Sequence, residues 1–397
     1  NMDEFASDRQ LYLVKTVPDG MKPGSDVANL SVMGYNPHDC YTGRSPLEAA
    51  SIGVDIKDNQ TTFRANLVTL SSEENYEDKT MLDYSSGEIT TEESTALMLE
   101  IEKQLGEDGI HFFPGISYRH LFVWDDAPEK FNLTPPHDIS DRKIIDYLPS
   151  DAKILDLMKK SEKILKDHPV NKKRIAEGKN PATSLWIWGE GTRPSLTNFS
   201  SLYNKKGTVV SAVDLIKGIA ILSGMKSIDV DGATGNIHTN FDGKAKAASD
   251  ALLKDGADLV YVHLEAPDEC GHQGDADGKT RSLELIDEKI IGYIRTQLEE
   301  NGEDYAFLVM PDHPTPIATK THSSEPVPCV IYKKGDKKGN GYRFTEEFAR
   351  SFGIKVDEGH KMMKIFLENQ LLFSQNIYTI IDVEKKFDIT DPIKNWI

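Results

Sequence analysis

The chain has 397 residues, 38% hydrophobic and 28% charged, which supplies apolar material for real cores and excludes a disordered chain. Its 46 Lys+Arg against 64 Asp+Glu leave a formal net charge of −18, which argues against nucleic acid as a partner. No apolar run approaches the ~18–20 residues needed to span a bilayer, no signal peptide opens the chain, and three scattered cysteines (Cys40, Cys270, Cys329) make no disulfide framework, so a cytoplasmic protein without a membrane partner is expected.

Three regions separate along the chain. The first, to about Asp58, holds a strand-like run at 11–14, a turn-rich stretch, and helices expected near 26–33 and 46–52. The second, to about Lys205, contains a helix at 92–105. Thr90 and Glu93 offer it a capping box, and Leu97, Ile101 and Leu105 lie on one face. The proline-bearing stretches Thr134-Pro135-Pro136 and His168-Pro169 break the rest of it.

The third region alternates strands and helices. The segment 257–264 contains Leu259-Val260-Tyr261-Val262, a near-continuous apolar run of the kind parallel sheets bury on both faces. A helix follows with Leu283, Ile286, Ile290, Ile294 and Leu298 spaced by three and four, and further strands are expected at 305–310 and 327–332. This pattern predicts an α/β sheet with helices on both faces, whose ligands should gather beyond the carboxyl ends of the strands.

Chemistry-bearing residues stand at those ends. Asp268 and His272 follow the first of these strands, Asp312 and His313 follow the second, and His322 precedes the third. Mixed carboxylate and imidazole sets suit Zn²⁺ or Mn²⁺ better than Mg²⁺. His111 and His263 lack that setting, and His263 alternates within its strand as a packed core residue would. Near the start, Pro23-Gly24-Ser25-Asp26 reads as a turn opening a helix, with Ser25 at the positive end of its dipole. Metal coordination is one way to activate such a hydroxyl, and a plain N-cap serine is the other reading of it.

The segments Pro-Gly-Ser-Asp-Val-Ala-Asn-Leu-Ser (23–31), Gly-Arg-Ser-Pro-Leu-Glu-Ala-Ala (43–50), Ala-Pro-Asp-Glu-Cys-Gly-His (266–272) and Pro-Asp-His-Pro-Thr-Pro (311–316) together resemble one family. It is the archaeal-type, cofactor-independent phosphoglycerate mutase, a branch of the alkaline phosphatase superfamily. Ser-Tyr-Arg-His-Leu (117–121), Pro-Pro-His-Asp-Ile (135–139) and Leu-Trp-Ile-Trp-Gly-Glu-Gly (185–191) match it as well.

The resemblance implies an alkaline phosphatase-like domain (1–58 and 205–397) with an inserted α/β substrate domain (59–204). It implies that Ser25 receives the phosphoryl group of 3-phosphoglycerate and returns it to the 2-hydroxyl, across two divalent cations. Mn²⁺ is the first choice for these, with Zn²⁺, Co²⁺ or Mg²⁺ as alternatives. Asp268, His272 and His322 would hold one cation, and Asp312, His313 and Ser25 the other. Arg64, Arg119, His120 and Arg193 would bind the small phosphorylated substrate, with Asp138 as a base for the glycerate hydroxyls. The same metal machinery would also serve a phosphatase or a phosphotransferase acting on another small hydroxylated substrate, as in homoserine kinase-like relatives. In one respect the sequence departs from the pattern. The family opens with a strand ending in Asp-Gly, whose aspartate completes the Ser25-side metal site, whereas Asn-Met-Asp-Glu-Phe-Ala (1–6) resembles a later segment. Two readings are open, a leader carrying that strand outside these residues or a lost ligand; Asp19-Gly20 offers a substitute, but it lies in the loop immediately before Ser25 and not after a strand.

Overall fold

The computed structural model describes residues 1–8, 10–335, 339–368 and 377–383. Two compact units emerge, one formed by Asn1–Tyr41 with Ser195–Ile397 and the other by Thr42–Pro194. The sequence placed the linkers near Asp58 and Lys205. The first junction falls earlier because Ala49 and Ile56 pack against Leu121 and Val123 of the second unit.

In chain order the strands begin with β1 (Leu11–Val14), β2 (Gln60–Leu70), β3 (Met81–Asp83), β4 (Ile110–Phe113), β5 (Arg119–Asp125) and β6 (Ser184–Thr192). They continue with β7 (Gly207–Val210), β8 (Lys226–Ile228), β9 (Leu259–Leu264) and β10 (Tyr305–Met310), then β11 (Val327–Lys333), β12 (Ile354–Val356) and β13 (Ile377–Val383). The first unit carries an eight-stranded sheet in the order β12-β1-β11-β10-β13-β9-β7-β8. Its middle is parallel, since β13 runs parallel to both β10 and β9, and β9 parallel to β7. Only β11 runs against its neighbours β10 and β1. The carboxyl ends of β9, β13 and β10 therefore open on one edge, which is where a doubly covered sheet presents its ligand crevice.

Both faces of that middle are buried, which explains why β9 reads as a continuous apolar run. On one face Val260, Val262, Phe307, Val309 and Ile381 join Phe5, Ala248, Ile290 and Ile294 in a single core. On the other face the helix Ser25–Val32 lies close enough for the Tyr261 hydroxyl to donate to Asn29. The expected helix after β9 is present as Ala276–Leu285 and Tyr293–Glu300, joined by a wider π-type turn at Ile286–Gly292. That extra residue lets the adjacent Ile290 and Ile291 both be buried.

The second unit is built on an antiparallel sheet, β3-β2-β5-β4, with β6 also paired to β2. One face is apolar: Phe63, Ala65, Leu67 and Phe122 pack with Leu97, Met98 and Ile101 and with Ile154 and Met158. Those residues come from the helices Thr91–Leu105 and Ala152–Lys166. The capping box at Thr90 and Glu93 forms as expected, at 3.3 and 3.4 Å, and such caps contribute about 1 kcal/mol. No helix among the described residues is long and apolar enough to cross a membrane, and all three cysteines are buried free thiols.

Candidate active site

The helix Ser25–Val32 begins at Ser25 itself, with Gly24 in extended backbone as its cap. A Cβ on Gly24 would lie 2.8 Å from the Asp26 carboxylate, so a larger residue there would push that side chain aside. The Ser25 side chain makes no cap hydrogen bond. Its Oγ lies instead 3.0 Å from Nε2 of His313. The hydroxyl thus stands at the first residue of the helix, beside His313 at the end of β10, where the helix dipole favours an anion.

One turn along the helix, Asn29 is fully buried and ties the serine to Asp312. Its amide donates to the Ser25 carbonyl at 2.9 Å and to Asp312 Oδ2 at 2.8 Å, and its Oδ1 accepts from Tyr261. Asp312 is further fixed by the His313 amide at 2.8 Å, and its carbonyl by the Thr16 hydroxyl at 2.5 Å. Asn29 lies i,i+4 from Ser25, but that spacing alone does not mark it, and only the fold brings it to Asp312.

The helix Ala266–Gln273 follows β9 almost at once and sets Asp268 and His272 on one face. His272 Nε2 lies 3.4 Å from Asp268 Oδ2 and 3.0 Å from His322 Nε2, and His322 Nε2 lies 3.3 Å from Asp268 Oδ1. His313 joins this group, its ring centroid 4.1 Å from that of His322, and one atom each of Asp268, His313 and His322 fall within 4.8 Å of one another. Thr315 donates to Asp268 at 2.5 Å. The loop that carries it can approach because a Cβ on Gly271 would meet the Thr315 carbonyl at 2.6 Å. Thr315 sits inside the Pro-Asp-His-Pro-Thr-Pro run, but nothing in that run marks its hydroxyl as a partner of Asp268.

Electrostatics follow from this packing. Burial alone would raise the Asp268 carboxyl, but hydrogen bonds from His272 and His322, with the nearby His313, hold it well below the usual carboxylate range. The same hydrogen bond to Asp268 pushes His272 up to about 9. Tetrahedral ligands at bonds of roughly 2.0–2.1 Å stand about 3.3–3.4 Å apart. The 3.0–3.4 Å separations among Asp268, His272 and His322 therefore fit a cation of that size.

A second group is wholly buried: His263, Asp312 and Asp382, with one ligand atom each within 4.8 Å of the others. His263 Nδ1 lies 3.3 Å from the Ser211 hydroxyl, and burial lowers its pKa to about 3, so the ring is neutral. It is the packed residue expected, and it also faces a carboxylate, with Nε2 3.4 Å from Asp382. Asp19 does not enter either group. Its side chain is 94% exposed and pairs with Lys15.

In the second unit the candidate substrate residues divide. Arg64 and Arg119 lie on adjacent strands, and register places Arg64 opposite Leu121 and Arg119 opposite Asn66, so both share one face. Arg64 forms an ion pair with Glu48, Nε to Oε2 3.0 Å, and stacks over its cross-strand neighbour Trp188, Cζ to ring centroid 4.4 Å. Arg44, overlooked in the sequence although it lies in the Gly-Arg-Ser-Pro motif, bonds the other Glu48 oxygen at 2.8 Å. Burial acts to raise Glu48, but Arg64, Arg44 and Arg119 hold it below the usual range. Three guanidiniums against one carboxylate leave net positive charge, as a phosphate or carboxylate site requires.

His120 pairs with Ala65 and so falls on the opposite face. It is buried, accepts from the Gly115 amide at 3.0 Å, and burial brings its pKa down to about 3. It offers a neutral N–H and no charge. Arg193 is half-exposed, 4.0 Å from Asp58. Asp138 is also largely exposed and lies 3.6 Å from His137, whose ring meets Trp188 edge to face at 5.4 Å.

A mixed sheet with a mostly parallel middle, covered on both faces, that gathers a serine hydroxyl, three histidines and two aspartates at its carboxyl edge defines an alkaline phosphatase-like α/β protein. Residues 6–171 match the family described as 2,3-bisphosphoglycerate-independent phosphoglycerate mutase. The chain is 44% identical over 372 residues to the enzyme of that name from Methanosarcina barkeri, covering 92% of each. It belongs to that family, in its archaeal type. Among solved structures it is similar to the PH0037 protein from Pyrococcus horikoshii, with TM-score 0.75, 29% identity, and 94% of this chain and 90% of that one covered. It shares its fold with the cofactor-independent phosphoglycerate mutase from Thermoplasma acidophilum, with TM-score 0.60, 23% identity, and 93% and 91% covered.

Proposed function

We propose that this chain interconverts 3-phosphoglycerate and 2-phosphoglycerate through a phosphoserine on Ser25, in the cytoplasmic reactions of glycolysis and gluconeogenesis. The observation that carries this reading is the Ser25 hydroxyl, presented by a helix N-terminus 3.0 Å from His313 and within the same constellation as Asp268, Asp312, His272 and His322. Asp268, His272 and His322 would hold one divalent cation, and Asp312, His313 and Ser25 a second, with Mn²⁺ suited to this oxygen and imidazole set. Bound cations would neutralise the phosphoryl charge and favour the ionised serine.

The chain's own groups do the rest. Ser25 Oγ attacks phosphorus as the bond to the glycerate 3-oxygen breaks, and the serine proton ends on that oxygen. The 2-hydroxyl then attacks the phosphoserine, and its proton returns to Ser25. Arg44, Arg64 and Arg119 would hold the glycerate carboxylate between the two transfers, and Asp138 would serve the hydroxyl protons. The test supplies 3-phosphoglycerate and a divalent metal without 2,3-bisphosphoglycerate and follows both products by phosphorus NMR. Formation of 2-phosphoglycerate supports the reading. Release of inorganic phosphate alone would replace the mutase by a phosphatase.

Arg64→Lys tests the clamp. Lysine keeps the charge but loses the planar fork and the stack on Trp188. Because a hydrogen bond to a charged group is worth about 1.5–3 kcal/mol, kcat/KM should fall roughly 10- to 100-fold while metal binding stays unchanged. Wild-type kinetics for this variant would remove Arg64 from the substrate site.

A further inference from the structure

We propose that Asp382 is a ligand of the serine-side cation, completing with Asp312 and His263 a buried site that β13 brings into the middle of the sheet. This rests on the two-cation reading above and adds to it a residue that the sequence motifs do not contain.

The placement comes from strand pairing. β13 lies between β9 and β10, parallel to both, and its register sets Asp382 beside His263 on one side and Met310 on the other. Two residues beyond Met310 stands Asp312. Paired residues share a face, so Asp382 and His263 point to the side of the sheet where the helix Ser25–Val32 packs. Asp382, His263 and Asp312 are only 2%, 4% and 6% exposed. The Tyr261 hydroxyl reaches both Asp382, at 3.3 Å, and Asn29, whose amide bonds Asp312 and the Ser25 carbonyl. The new carboxylate is thus wired to the nucleophile through two side chains.

Charge supplies the second argument. Two carboxylates within 4.8 Å, both removed from water, repel each other and lose solvation together. A divalent cation cancels both charges at once and takes the imidazole as a third ligand, a donor set that suits Mn²⁺ or Zn²⁺.

The experiment titrates Mn²⁺ into the full chain, metal-stripped, and reads stoichiometry from free Mn²⁺ by electron paramagnetic resonance. The wild type should take up two ions. Asp382→Asn should weaken one of them by at least about 100-fold and leave the other unchanged. Asp382→Cys keeps the argument testable should the amide variant not fold, because Cd²⁺ bound there must show a thiolate charge-transfer absorption absent from wild type. Two ions held by Asp382→Asn as tightly as by wild type, a cysteine variant without that band, or a wild type that binds a single ion would overturn the assignment of Asp382. A wild type that binds no Mn²⁺ at all would overturn the two-cation reading instead.

Discussion

The Ser25→Ala protein should fold as the wild type does and lose mutase turnover by about four orders of magnitude or more, the scale on which removing a covalent nucleophile acts. The structure separates these two effects. Gly24, not Ser25, caps the helix, and the serine side chain makes no cap bond. The substitution removes one hydrogen bond, to His313, which is worth about 0.5–1.5 kcal/mol, and places a better helix former in the first turn. Thermal melting should therefore move little. Wild-type enzyme quenched in acid during turnover should carry a phosphoryl group on the Ser25 peptide, read by mass spectrometry, and the variant none. Wild-type turnover by the alanine protein would refute the phosphoserine.

Much of this site was legible because residue type and element position agreed. Asp312, His313, Asp268 and His272 follow apolar strands that could only be central, so their convergence needed no knowledge of distant pairing. The helix 92–105 announced itself through Thr90 and Glu93, since a capping box is a local signal, and the structure begins that helix at Thr91. Asn29 and Thr315 were not legible, because a buried asparagine within a helix or a threonine within a loop has many uses, and only the fold brings these two to Asp312 and Asp268.

The non-local parts of the fold were hidden for the same reason. The run Ile377–Val383 has the apolar character of β9, but nothing local says that it enters between β9 and β10. Reasoning along the chain turned to Asp19, which adjoins Ser25 in sequence yet lies exposed beside Lys15. The domain junction slipped in a similar way. The polar turn near Asp58 looks like a linker, but Ala49 and Ile56 before it are buried against the second unit's strands. In that unit the alternation of β2 set Arg64 on one face and Ala65 on the other. His120, opposite Ala65, was thereby separated from the arginines that stand near it in sequence.

Stripping divalent metal should abolish activity and adding Mn²⁺ should restore it, with proton release on loading as the sign that the histidines are the ligands. In the metal-free protein Asp268 holds the proton of His272 up to about pH 9. A cation needs that nitrogen's lone pair, so loading below pH 9 must expel the proton, and apparent affinity should rise with pH up to that value and level off above it. The sign is fixed: a group whose pKa is raised binds protons more tightly in the apo state, so acid opposes the metal. Calorimetry at pH 7 in two buffers of different ionisation enthalpy would read the released proton directly. His272→Gln should erase that release and leave Ser25 and Asp312 in place. Full activity after exhaustive chelation and dialysis would remove the metal from the reaction. Loading with no proton release would instead take His272 out of the ligand set, because Asp268 cannot hold a proton on a nitrogen that a cation occupies.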